Sequence, residues 1–82
     1  MDPQAAWDEM LTSIAQRDWD RAFETSEALL SWMKNGGFPP QTSAVSMRPQ
    51  WNRATAEFGC LLALQLVRQA RKRKQRTAKG NK

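Results

Sequence analysis

The segment from Trp51 to Arg76 combines a long apolar run with a dense run of basic residues, and it limits the folds open to this chain. Its apolar residues recur at helical spacing and extend around most of the helix circumference. A helix that is apolar nearly all round must be buried nearly all round. Because the rest of the chain can supply only two short helices, we expect this third helix to need a partner outside its own chain.

A helical wheel places a broad apolar side and a narrow polar strip on this helix. The broad side holds Trp51, Ala54, Thr55, Phe58, Gly59, Leu62, Ala63 and Leu66, and it is extended by Cys60, Leu61, Leu64 and Val67. The positions with the character of solvated residues are Arg53, Glu57 and Arg68. This pattern predicts that the large residues of the broad side are buried.

A ridge of small residues, Thr55, Gly59 and Ala63, recurs every four positions on that side. Glycine inside a helix costs roughly 1 kcal/mol relative to alanine, so the close approach of another helix would best explain Gly59. That neighbouring helix belongs either to the same chain or to a second copy. We predict a homo-oligomer or a partner protein at this contact, with Leu62 and Leu66 completing it.

Two shorter helices are predicted before the third, over residues 3–17 and 19–35. Asp2-Pro3 and Asp18 supply the N-terminal caps, and Gly36-Gly37 ends the second helix. The predicted buried stripe of the first helix consists of Trp7, Met10, Leu11 and Ile14. That of the second consists of Trp19, Ala22, Phe23, Ser26, Leu29, Leu30 and Met33. The short connection between them favours an antiparallel hairpin.

The segment Gln16–Ala22, with Asp18, Trp19 and Asp20, resembles the turn of a tetratricopeptide hairpin. Glu9 and Met10 stand where that repeat prefers Leu and Gly, and the chain holds no second copy. Because such repeats are stabilised by stacked neighbours, the resemblance implies a helical hairpin and no function.

The resulting expectation is an all-α fold, a small three-helix bundle. A single domain would span residues 1–67, with a loop over 36–48 and a third helix from 49 to 67 and onward. Phe38 and Val45 are the expected tethers of the loop onto the core, and its Pro39-Pro40 pair indicates loop structure rather than a partner motif. Residues 68–82 form a basic C-terminal extension.

The net charge of +5 conceals an uneven distribution. Residues 1–67 carry five basic and eight acidic side chains, a charge of −3, whereas residues 68–82 carry eight basic side chains and no acid, a charge of +8. Clustered cations of this kind bind phosphate backbones with an affinity that falls with salt. The predicted polyanion or nucleic-acid contacts are Arg68, Arg71, Lys72, Arg73, Lys74, Arg76 and Lys79. Anionic lipid, an acidic protein or a merely solubilising extension are the alternatives.

Catalytic chemistry has few candidates here, since the chain holds no histidine and no tyrosine. Asp18 and Asp20 are better explained as helix capping than as a catalytic pair, and no phosphate-binding glycine loop precedes a helix. We expect no enzyme, cofactor, metal or small-molecule substrate. The alternative to a self-associating module with a basic tail is a structural or adaptor subunit that binds a partner protein through the third helix.

Four tryptophans and one cysteine complete the candidates. Trp7, Trp19 and Trp51 fall on predicted buried stripes, so Trp32 is the candidate exposed partner contact. Cys60 is expected to be a buried thiol, which fits a reducing, cytoplasmic setting. No signal peptide or membrane span is expected, and in a eukaryotic cell the run 71–74 would also resemble a nuclear localisation signal.

Overall fold

A computed structural model shows three α-helices and confirms the predicted all-α bundle. Helix α1 spans Pro3–Ala15, α2 spans Trp19–Lys34 and α3 spans Pro49–Gly80. The structure describes residues 1–43 and 45–80, with side chains for residues 1–43 and 45–73, and this part contains no strand. All three helices start where the sequence predicted, and α1 and α2 end one or two residues earlier than expected.

The caps read from the sequence are formed. The Asp2 carboxylate accepts hydrogen bonds from the backbone N–H groups of Gln4 and Ala5 at 3.1 and 3.2 Å, and Asp18 accepts one from Arg21 N–H at 3.3 Å. Helix α2 ends at Lys34, and Gly36, two residues later, terminates it with a φ of 90°, in the left-handed region that glycine tolerates. Helix α1 ends earlier than predicted because Arg17 itself adopts a left-handed φ of 58°.

Helix α2 packs against both of the other helices and runs antiparallel to each. Arg53, near the start of α3, bonds to Met33 at the end of α2, whereas Arg71 bonds to Asp20 at its beginning. Helices α1 and α3 therefore run in the same direction, and they meet where Trp7 packs on Gly59. The core cluster consists of Trp7, Met10, Leu29, Met33, Ala56, Cys60 and Ala63.

The face of α3 that is buried differs from the one predicted. The buried residues of α3 are Ala56, Cys60, Ala63 and Val67, each no more than 1% exposed. Trp51, predicted to be buried, is 56% exposed, and Phe58 is 62% exposed. Arg53, predicted to be solvated, is half-buried and faces α2, where it donates to the carbonyls of Met33 and Gly37. These predictions were wrong because small side chains let α3 approach the hairpin closely.

The loop between α2 and α3 is held by polar contacts rather than by the predicted apolar tethers. Phe38 and Val45 are 65% and 73% exposed, so the prediction that they anchor the loop in the core was wrong. Pro40 is fully buried instead. Asn52 on α3 accepts from Thr42 N–H at 3.1 Å and from its hydroxyl at 2.8 Å, and donates to Pro40 O at 2.8 Å.

Asn52→Ala should therefore lower the free energy of unfolding by about 1–3 kcal/mol, because it removes three hydrogen bonds and leaves partly buried loop groups unpaired. Amide exchange at Thr42 should accelerate in parallel. Denaturant unfolding and hydrogen exchange would measure the two effects. The matched control is Gln50→Ala at an exposed position two residues earlier, for which both quantities should stay unchanged. Equal effects of the two substitutions would contradict the role given to Asn52.

Candidate interaction surface

The solvent side of α3 carries five large apolar side chains, which we call the outer face of α3. They are Trp51 (56% exposed), Phe58 (62%), Leu61 (54%), Leu62 (48%) and Leu66 (42%). Helical spacing places Trp51, Phe58 and Leu62 away from the buried face, with Leu61 and Leu66 on the two flanks. They form one elongated apolar surface along four turns of the helix.

The distribution of side-chain size on α3 is the reverse of that in an ordinary amphipathic helix, which buries its large apolar side chains. Alanine, cysteine and valine point into the core, while tryptophan, phenylalanine and leucine point into solvent. A large side chain exposes roughly 150–200 Å² when free, so the outer face leaves on the order of 450 Å² of apolar surface in water. That area equals the apolar part of one side of a standard protein interface, which buries about 800 Å² per partner.

Of the predicted ridge of small residues, one part packs in the core of the protein and the other part is exposed to solvent. Gly59 contacts the Trp7 ring of the same chain, and a Cβ built on it would come closer than 3.0 Å to two ring carbons. Ala63 is 1% exposed in the core. Of the five residues predicted at an oligomer contact, Thr55, Leu62 and Leu66 are exposed. The close neighbour that explains Gly59 is therefore α1 of its own chain.

Trp32 is half-buried rather than exposed. Its indole N–H donates to Phe38 O at 2.9 Å, and its ring packs edge-on against the Phe38 ring at a centroid distance of 5.7 Å. The same ring covers Gly37, where a Cβ would collide with it. Trp32 therefore fixes the end of α2 and the start of the loop, and Trp51 is the tryptophan on the exposed surface.

The basic end of α3 consists of Arg68, Arg71, Lys72 and Arg73, all of which are exposed. Arg71 bonds to the Asp20 carboxylate at 3.2 Å, and its guanidinium lies 4.9 Å from the centre of the Phe23 ring. This contact connects α3 to the start of α2. The side chains of Lys74, Arg76 and Lys79, predicted as further polyanion contacts, lie outside the described residues.

An open groove of about 510 Å³ lies between α2 and the basic end. Its floor is apolar, formed by Phe23, Leu64 and Val67, and Arg68 and Lys72 stand on its rim with Glu27 opposite. The rim adds to the positive potential of this end of the molecule, because the cations outnumber the single carboxylate.

Comparisons with protein-family models, curated proteins and solved structures found no match. Function is therefore inferred from the two exposed surfaces, the outer face of α3 and its basic end. The residues the structure describes contain no cluster of three or more potential metal ligands. Nor do they form a helix that is long and apolar enough to cross a membrane.

Cys60 is fully buried in the core, as the sequence predicted. Burial, together with the nearby Glu57 carboxylate, raises the pKa of its thiol to about 11. The thiolate is the reactive form of cysteine, so this side chain is protonated and shielded near neutral pH. Cys60 contributes packing rather than chemistry.

Sequence reasoning missed the role of the polar residues at the start of α3. Arg53 forms an ion pair with Glu57 at 3.6 Å and also reaches the carbonyls at the end of α2. Asn52 holds the loop. The sequence does place an Asn-Arg pair in the first turn of a helix that follows a long loop, and such a pair can bond to the loop. Its partners could not be predicted, because hydrogen bonds between residues distant in sequence depend on the tertiary arrangement.

Proposed function

We propose that this chain is a noncatalytic helical interaction module that self-associates through the outer face of α3 and contacts nucleic acid or another polyanion with its basic end. The observation that carries the proposal is the exposure of Trp51, Phe58, Leu61 and Leu62 on a helix whose buried face is made of small residues. The largest apolar patch on a soluble protein is often functional.

Self-association is supported by the match between the area of the outer face and the apolar area that each partner of a standard interface buries. Arg48 lies over the Trp51 ring at 5.1 Å, which places a cation at the rim of the apolar surface. An apolar centre with a polar rim is the usual anatomy of such an interface.

Polyanion contact is supported by the charge of the extension and by its position. Arg71 connects α3 to α2, and the helix continues for nine residues to Gly80. Cations on one rod-like end can neutralise successive phosphates, and each contact releases counterions. Binding should therefore be largely independent of base sequence and should weaken steeply with salt.

Sedimentation equilibrium over roughly 1–500 µM tests self-association. The wild-type mass should rise with concentration, whereas Leu62→Glu should remain a monomer because a charge cannot be buried unpaired at an apolar contact. Ser31→Glu, at an exposed position of α2, is the matched control and should behave as the wild type. A wild-type monomer at the highest concentration would overturn the self-association proposal. A monomer that forms a stable complex with a different protein would instead favour the adaptor alternative.

Fluorescence anisotropy with labelled duplex DNA, RNA and a non-nucleic polyanion tests the basic end. Replacing Arg68, Lys72 and Arg73 with glutamine should weaken binding at low salt by at least tenfold and reduce its salt dependence. Replacing Arg17, Arg21 and Lys34 with glutamine removes the same charge elsewhere and should have a smaller effect. Equal losses would indicate a net-charge effect and contradict a localised contact.

A further inference from the structure

The exposed side of α3 carries a seam whose spacing is unchanged when the helix is reversed. The seam residues are Trp51, Thr55, Phe58, Leu62, Gln65 and Gln69, and all of them are exposed. Their separations alternate between four and three residues, the repeat that lets two helices pack side by side. Positions 51 and 69, 55 and 65, and 58 and 62 are each symmetric about position 60.

This symmetry makes the antiparallel pairing of two copies chemically complementary. About a two-fold axis at position 60, Phe58 of each copy faces Leu62 of the other, and Thr55 faces Gln65. An apolar centre is thus flanked on each side by two side chains that can hydrogen-bond to each other.

Parallel pairing matches the same residues far less well. Each side chain would face the same residue of the other copy, so Gln65 would meet Gln65, Gln69 would meet Gln69 and Lys72 would meet Lys72. The two extensions, each with a charge of +8 over residues 68–82, would lie side by side and repel each other. Antiparallel pairing places them at opposite ends, so the charge distribution favours this orientation.

We infer that two copies pair antiparallel through the seam of α3, and that the dimer bridges two separate nucleic-acid duplexes with its opposed basic ends. This inference rests on the proposed function. Lys72 lies twelve residues from the axis, so the two Lys72 residues are about 36 Å apart at a rise of about 1.5 Å per residue. The two ends point in opposite directions, so each can contact a different duplex; contact of both ends with one duplex, about one helical turn apart, is the arrangement that the capture assay below distinguishes from bridging.

Disulfide cross-linking distinguishes the two orientations. In the antiparallel dimer Thr55 lies next to Gln65 of the other copy, whereas the two Thr55 positions are about 15 Å apart along the axis. A disulfide needs Cα atoms within about 7 Å. A mixture of Thr55→Cys and Gln65→Cys should therefore cross-link at least fivefold more than either variant alone. Cys60 is buried with a raised pKa and does not compete.

Each outcome of the cross-linking has one meaning. Efficient cross-linking of each single variant with itself would show parallel pairing, which overturns the inference and leaves self-association intact. If the protein sediments as a dimer but the mixture forms no more cross-links than Ser31→Cys, at an exposed position on α2, pairing through the seam is overturned. A monomer in sedimentation would overturn self-association as well.

A two-duplex capture assay tests bridging. One 30-base-pair duplex is immobilised on beads, and retention of a second, fluorescent duplex is measured with and without the protein. The wild type should retain the second duplex, and Leu62→Glu should lose at least 90% of this retention while still binding a single duplex in anisotropy. Retention unchanged by Leu62→Glu would overturn the bridging role, as would a wild-type dimer that retains none. Retention of a fluorescent acidic polymer, but not of a fluorescent duplex, would also overturn the bridging role.

Discussion

Leu29→Ala is expected to lower the free energy of unfolding by about 2–5 kcal/mol, because Leu29 is fully buried in α2 between the other two helices. A domain of this size has only about 4–12 kcal/mol of net stability, so a large fraction of it would be lost. Denaturant unfolding at about 1 µM protein, where self-association is weakest, would measure the change.

The matched control for Leu29 is Leu61→Ala on the outer face of α3, where the same atoms are removed from a side chain that is 54% exposed. Its effect should stay within about 0.5 kcal/mol at low protein concentration. A loss as large as that of Leu29→Ala under these conditions would mean that the outer face is covered within a single chain.

Gly59→Leu is expected to destabilise the protein by about 1–2 kcal/mol, even though leucine is a far better helix former than glycine. A Cβ at this position already collides with the buried Trp7 ring, so the ring must move and the contact between α1 and α3 must open. Overpacking of this kind costs about 1–3 kcal/mol, and the larger leucine side chain adds to it, against a helix-propensity gain of roughly 1 kcal/mol. Thermal or denaturant unfolding would show the change.

A double-mutant cycle assigns the Gly59 effect to Trp7. Trp7→Ala alone should cost about 3–5 kcal/mol, but combined with Gly59→Leu the total should fall at least about 1 kcal/mol short of the sum, because the leucine enters the vacated space. Thr55→Leu, one turn earlier and exposed, should be neutral or slightly stabilising. If the losses of stability of the two single variants simply added, the effect of Gly59→Leu would not arise from its contact with Trp7.

The helices themselves could be read from the sequence because their signals are local. Asp2-Pro3, Asp18, Gly36 and Pro49 mark helix ends by capping and backbone geometry, which depend on neighbouring residues alone. The charge division at Arg68 is a property of composition. The core stripe of α2 was also predicted, because a regular amphipathic pattern identifies one buried face.

The candidate surface was predicted only in part. The expectation that α3 carries more apolar surface than its own chain can cover agrees with the exposure of Leu61, Leu62 and Leu66. Helix–helix contact at Gly59 was also expected, but its partner is Trp7 of the same chain. Self-association and polyanion binding remain proposals that the experiments above decide.

The amino-acid sequence by itself determined that this chain forms three helices with a basic end, and that one helix is apolar almost all round. Only the tertiary structure decided which side of that helix is buried. Hydrophobicity alone would bury Phe58 and Leu62 in preference to Ala56, whereas side-chain size favours the opposite arrangement. The large side chains of the hairpin fill the core and leave room only for the small face of α3, so its large side chains remain in solvent.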